Sequence, residues 1–157
     1  MDFGYTNDPT TLVKIGLHNG ELYFNELIYK TGLLNSDILN LFNSHQLEKR
    51  GGNAAKIFAD AADPKSIDEL FKGGYNIRAA KKGADSIKYG INLIKQYPLN
   101  ITQDSPNLIK EAQSYKWGAD KNGNALNAPI DFYNHCWDAI RYGCIMNLTK
   151  SGGMKFM

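Results

Sequence analysis

The dipeptide Asn19-Gly20 constrains the fold of this chain more than any other short feature. It separates two strand-like runs, residues 11–17 and 21–29. A tight two-residue hairpin turn needs positive φ at its centre, which Asn and Gly adopt most readily. The runs are therefore expected to pair antiparallel. Leu22, Phe24 and the later Ile28 show partial alternation, as on one face of a sheet.

Helix signals follow the hairpin. Asn35 is a candidate N-cap, with Leu34 and Leu39 in the two staple positions around it. Ile38, Leu41 and Phe42 would form the buried face of that helix. Residues 55–59 read as a buried strand ending at Asp60. Asp63-Pro64 opens a second helix, with a capping acid before a proline at the first helical position. Residues 76–80 read as another strand, and Lys81-Lys82-Gly83 as a loop. Ile87, Ile91 and Ile94 mark a third helix that must end near Pro98. Ser105-Pro106 opens a fourth by the same logic. Lys121-Asn122-Gly123 looks like a second hairpin tip, and the last helix is expected from Asp131 to Leu148. Residues 151–157 read as a flexible tail after a domain spanning residues 1–150. Strands first, then alternating helices and strands, then a closing helix make this a mixed α/β domain with one main sheet.

The 157 residues suffice for one domain with a real core. No stretch approaches the roughly 18 uninterrupted apolar residues of a membrane span, so no membrane partner is expected. No basic-then-apolar segment opens the chain, so no secretory signal is expected. Asp2 follows Met1 directly and reads as the end of a strand, which suggests a piece of a larger protein. Cys136 and Cys144 fall in one predicted helix, about 12 Å apart along its axis at 1.5 Å per residue. That is too far for a disulfide, so reduced thiols and an intracellular setting are expected. The net charge of +2 neither supports nor excludes nucleic acid as a partner.

The 16 acids include several that surface solvation does not explain well. Asp60 ends an apolar run, where an acid is disfavoured; a turn residue and a metal ligand are equally good accounts of it. Asp63 is better explained as a helix cap than as a ligand. On the last helix, Asp131, His135, Asp138 and Tyr142 fall within an arc of roughly 60° at 100° per residue. Such a stripe usually faces solvent, but the rest of this helix is largely apolar. A buried acid must be paired or metal-bound. Clustered carboxylates suit hard divalent cations such as Mg²⁺ or Mn²⁺, and two such ions can drive phosphodiester hydrolysis.

Three blocks in order resemble one known family. Asp2-Phe3-Gly4-Tyr5-Thr6-Asn7-Asp8-Pro9, then Ala59-Asp60-Ala61-Ala62-Asp63-Pro64-Lys65-Ser66-Ile67, then Asn134-His135-Cys136-Trp137-Asp138-Ala139-Ile140-Arg141-Tyr142 are similar to the motifs of phage terminase large-subunit nuclease domains. Lys81-Lys82-Gly83 and Trp117 also stand where that family has a Lys-Lys-Gly loop and a Tyr-x-Trp segment.

The resemblance implies an RNase H-like fold with a mixed central β-sheet flanked by helices. It implies an endonuclease of double-stranded concatemeric viral DNA during genome packaging, using two Mg²⁺ or Mn²⁺ ions. Asp2, Asp60 and Asp138 match the acidic triad, Asp8 an accessory metal-site acid, and His135 a histidine beside the third acid, where it would assist proton transfer or hold Asp138. Lys81 and Lys82 would contact DNA phosphates or simply form a solvated loop. Tyr115 and Trp117 are expected in the hairpin core rather than on a docking surface. Ala61 replaces a serine common in the family, and Met1 replaces the residues usual before the first acid, so a shortened strand and a less rigid Asp2 are expected. No Gly-x-x-x-x-Gly-Lys-Ser/Thr loop occurs in these residues, so no ATPase motor is expected within them. The implied partners are the terminase ATPase domain, the small terminase subunit and the portal protein, in the cytoplasm of the infected bacterial host. Two alternatives are another RNase H-like nuclease, such as a junction resolvase or RNA–DNA hybrid nuclease, and a non-catalytic module that docks on DNA or the portal.

Overall fold

The computed structural model describes residues 1–81, 83, 85–115, 117–129 and 134–148. Strands β1 (Thr10–His18) and β2 (Glu21–Lys30) form the expected antiparallel hairpin. Asn19 and Gly20 both take positive φ at its turn, 49° and 79°. The register shifts between Leu12 and Val13, where Leu12 pairs with Ile28 but Val13 with Glu26. Leu27 is thus an extra residue in β2, and an extra residue reverses which face later side chains point to. Phe24 accordingly packs into the cluster with Ile140, while Ile28, an even number of residues on, packs into the cluster with Phe42. The partial alternation in the sequence has this cause.

Helix α1 (Asn35–Ser44) buries Ile38 and Phe42. Its cap is Leu34 rather than Asn35, because the Asp37 carboxylate reaches back to accept from the Leu34 amide at 2.9 Å. Strand β3 (Ile57–Ala59) runs parallel to β4 (Ile77–Ala79) across helix α2 (Pro64–Lys72). Asp63 caps α2 as expected, accepting from the Ser66 amide at 3.0 Å and the Ser66 hydroxyl at 2.7 Å. Helix α3 (Ser86–Ile94) leads to a short strand that sequence patterning missed, β5 (Leu99–Ile101), parallel to β2. Three residues beside Pro98 are too few to show a periodicity.

Helix α4 (Pro106–Ser114) begins after Ser105, but the serine hydroxyl does not cap it. That hydroxyl accepts from the Glu26 amide at 2.9 Å, and the Glu26 carboxylate accepts from the Leu108 amide at 2.8 Å. The cap therefore comes from another element. Strands β6 (Trp117–Ala119) and β7 (Ala125–Pro129) form the second hairpin, and helix α5 (His135–Leu148) closes the chain. Asp131, Lys82, the side chain of Trp117 and the tail lie outside the described residues. Tyr115 is half-buried and stacks on Trp137 with ring centroids 5.7 Å apart. Cys136 and Cys144 are both free and buried.

The segment at Met1 and Asp2 joins the β1–β2–β5 sheet to the β3–β4 pair. On one side Asp2 exchanges two backbone hydrogen bonds with Thr11, at 2.9 and 2.8 Å. On the other, the Met1 amino group donates to the Phe58 carbonyl at 2.7 Å and the Asp60 amide donates to the Met1 carbonyl at 3.3 Å. The pairing makes one mixed sheet, with Asp2 at its middle. Asp2 is buried and makes a single bridge to Thr11, while the adjoining Met1 is held by Phe58 and Asp60. Helices α1 and α2 cover one face of the sheet through Ile38, Phe42 and Leu70. Ile94, Leu108 and Ile140, from α3, α4 and α5, fill the core of the other.

Candidate active site

Asp2, Asp60 and Asp138, distant in sequence, lie on segments that pack together where α5 meets the sheet. Asp2 and Asp60 sit on adjacent hydrogen-bonded segments, and α5 packs on β1 and β3. The start of the helix is tied to the sheet by the Thr11 hydroxyl, which donates to the His135 carbonyl at 3.1 Å. Thr11 is also the residue that pairs with Asp2, so the same contact sets helix and acid together.

Each acid meets a different side chain of α5. His135 stands between two carboxylates, its Nδ1 3.5 Å from Asp2 Oδ2 and its Nε2 3.7 Å from Asp8 Oδ1. Asp2 holds the imidazole above its ordinary pKa, burial opposes this, and Asp8 and Glu111 add to the rise. Asp138 accepts from the Nη2 of Arg141, three residues on. Burial pushes the Asp138 carboxyl above the usual range even so; Arg141 opposes the rise and the negative charge of Asp2 reinforces it. Asp60 accepts from the Tyr142 hydroxyl at 3.3 Å and, through its other oxygen, from the Ala62 amide at 2.8 Å. The phenol of Tyr142 is raised by burial first, then by Asp2, Asp138 and Asp60 in turn. Of the three acids, Asp60 is the one bonded to this hydroxyl.

Asp8 lies on the exposed loop between Asp2 and β1. That loop folds tightly over Gly4, where an added Cβ would stand 2.3 Å from the Asp8 carbonyl oxygen. Thr10 ties the loop down, donating to the Gly4 carbonyl at 2.7 Å and accepting from its amide at 3.2 Å. Lys81 is exposed and leaves the sheet beside Asp60, since the preceding Ala80 amide bonds the Ala59 carbonyl at 2.8 Å.

Reading the residues alone assigned no role to Arg141, Tyr142 or Glu111. Arg141 is buried, and its spacing of three from Asp138 is a pairing distance on a helix. Tyr142 lay in the polar stripe but without a partner to name. Glu111 is buried on α4, three residues from Leu108, and accepts from the Cys136 amide at 2.9 Å in the first turn of α5. An acid at helical spacing from a buried leucine was the only available signal.

Among the described residues, no three acidic, histidine or cysteine side chains are already drawn together into a metal-holding group. The donor chemistry nevertheless suits a hard divalent cation. Asp2, Asp60 and Asp138 offer carboxylate oxygens from three elements, and no described thiol is exposed beside them. Each acid is engaged by a protein partner, a histidine, a tyrosine and an arginine respectively.

Comparison with known proteins identifies the fold and the family. Residues 2–144 match the family described as terminase RNAseH like domain. The large terminase subunit of Bacillus phage SPP1 is 29% identical over 156 residues, covering 97% of this chain and 36% of that protein. The chain thus spans about a third of the length of this relative. The crystal structure of the SPP1 large terminase nuclease domain with bound Mn superposes with a TM-score of 0.80 at 26% identity, covering 93% of this chain and 83% of that one. The large terminase of a thermophilic bacteriophage has a TM-score of 0.73 at 21% identity, covering 94% of this chain and 38% of that one, a likeness of fold.

Proposed function

Since the chain belongs to the terminase RNase H-like domain family, we propose that it is a divalent-cation-dependent endonuclease that cuts double-stranded concatemeric viral DNA during genome packaging. The observation that carries this reading is that α5 sets His135 against Asp2, Tyr142 against Asp60 and Arg141 against its own Asp138.

In this reading residues 1–150 are the nuclease domain of a large terminase subunit. Asp2, Asp60 and Asp138 hold two Mg²⁺ or Mn²⁺ ions, and Asp8 adds an accessory ligand. When bound, such ions supply water activation and neutralise charge on the phosphate and the leaving oxygen. The protein's own part is to orient. Asp2 is fixed by its backbone bonds to Thr11, so its carboxylate cannot drift with the loop that follows. Tyr142 and the Ala62 amide set the direction of Asp60. His135, poised between Asp2 and Asp8, holds or moves a proton at Nδ1 or Nε2. Lys81, with Lys82, contacts DNA phosphates and positions the duplex without reading its sequence. The ATPase domain, the small subunit and the portal are the partners that bring DNA to the site, in the cytoplasm of the infected host.

Plasmid cleavage by the purified chain in Mn²⁺, Mg²⁺ or EDTA, beside Asp60→Asn and Asp138→Asn, tests this. The expected result is cleavage that requires the cation and is lost in both variants, with folding retained by circular dichroism. Equal cleavage by Asp138→Asn would remove that residue from the site. Stronger cleavage of branched DNA or RNA–DNA hybrids than of plain duplex would overturn the substrate assignment.

A further inference from the structure

The acidic site carries its own positive charge. Arg141 lies against Asp138, with only 5% of the arginine side chain and 22% of the aspartate exposed. A guanidinium stays charged at any pH the protein meets. Its position is built rather than incidental. Helix α3 leaves room for the arginine stem at Gly90, where an added Cβ would stand 3.2 Å from the Arg141 Cγ. The Tyr142 ring lies on another side, with its centroid 5.7 Å from the guanidinium carbon. A buried charge is tolerated only when paired. Here the pairing joins an arginine to one of the three acids that the proposed reaction needs for cations.

We propose that Arg141 is the resident counter-ion of this site, holding Asp138 in the cation-free chain and competing with divalent cations for it, so that it weakens cation binding while preserving the empty site. The inference rests on the reading that Asp2, Asp60 and Asp138 hold cations. With the guanidinium present, one Asp138 oxygen is engaged and a positive charge already faces the incoming ion. Without it, Asp138 is a partly buried carboxylate that has lost its paired cation. The cation-free chain then loses stability, and a cation restores it.

The test is thermal unfolding of the 157-residue chain with and without Mn²⁺, for wild type, Arg141→Met, Arg141→Lys and the double variant Arg141→Met/Asp138→Asn. A ligand bound only by the folded chain stabilises it according to its concentration over Kd. Arg141→Met is expected to unfold at lower temperature without Mn²⁺, to gain a larger Mn²⁺-dependent rise than wild type, and to bind Mn²⁺ on the order of tenfold more tightly by calorimetry, about 1.4 kcal/mol. Arg141→Lys should keep the wild-type rise. The double variant should be more stable than Arg141→Met without Mn²⁺, because neither partner is left unpaired. An equal or smaller Mn²⁺ rise in Arg141→Met overturns the proposal and leaves Arg141 a packing residue. If Arg141→Met does not fold, a double variant that also fails to fold refutes the pairing argument, whereas one that folds supports it. No Mn²⁺ response in wild type or any variant would reject the cation reading itself, which separates that failure from this one.

Discussion

Replacing Glu111 tests how α5 is held in position over the sheet. This carboxylate is 1% exposed and accepts from the Cys136 amide at 2.9 Å. Burial raises its pKa, opposed by the amides of Cys136 and Trp137, by His135 and by the Tyr29 hydroxyl. Glu111→Met keeps the volume but removes the acceptor, leaving a buried amide unpaired at a cost of about 1–3 kcal/mol. The charge on Glu111 is itself disfavoured by burial, so no further gain from the helix dipole is added. Glu111→Gln keeps an acceptor and should cost less than about 1 kcal/mol. The pH dependence has a definite sign. Because the folded pKa is raised, the wild type is favoured below the ordinary carboxylate range and loses that advantage as pH rises through the raised value. Glu111→Gln lacks this loss, so its stability relative to wild type should improve with rising pH. Urea unfolding followed by circular dichroism from acid to neutral pH measures both effects. At roughly 1–3 kcal/mol per molar urea, the methionine variant should shift the midpoint by about 1 M. If Glu111→Met changes stability by less than about 0.5 kcal/mol, or Glu111→Gln is as damaging as Glu111→Met, the cap is not made as described.

Gly4→Ala would put a Cβ 2.3 Å from the Asp8 carbonyl oxygen and 2.6 Å from that of Pro9. Both are backbone atoms, so the loop must move; a loss of about 1–3 kcal/mol in thermal unfolding is expected, and unchanged stability would contradict the packing. His135 is raised mainly by Asp2. Its contribution to stability should be complete below the unfolded histidine value and fade as pH rises through the folded one. His135→Asn should remove that slope from the stability profile, and an unaltered slope would assign it to another group. Lys81→Ala with Lys82→Ala should lower the salt dependence of DNA binding by roughly one to two phosphate contacts, read from the slope of log affinity against log salt. An unchanged slope would leave these lysines a solvated loop.

Local chemistry was legible wherever neighbouring residues complete it. Asn19-Gly20 requires positive φ whatever surrounds it, and Asp63 caps a helix that begins at the next residue. The polar stripe of α5 was likewise readable, because 3.6 residues per turn puts His135, Asp138 and Tyr142 on one side of a helix. The caps made at a distance were not readable. Glu26 serves α4 and Glu111 serves α5 from elements far away in sequence, and nothing next to either glutamate announces its amide. The bulge at Leu27 was visible only as an imperfect alternation, since the register belongs to the pair of strands and not to one.

The candidate site divides the same way. Its residue types and motif order were present in the chain, and matched motifs named Asp2, Asp60, Asp138, Asp8 and His135 before any geometry. What no run of residues contains is that Met1 and Asp2 hydrogen-bond to Thr11 on one side and to Phe58 and Asp60 on the other. Nor does it contain that α5 brings a histidine, an arginine and a tyrosine to three different acids. Helix and turn preferences are local, because they depend on dihedral angles and near neighbours. The meeting of carboxylates is not, because it depends on which buried faces pack together, and that is decided only when the whole core closes.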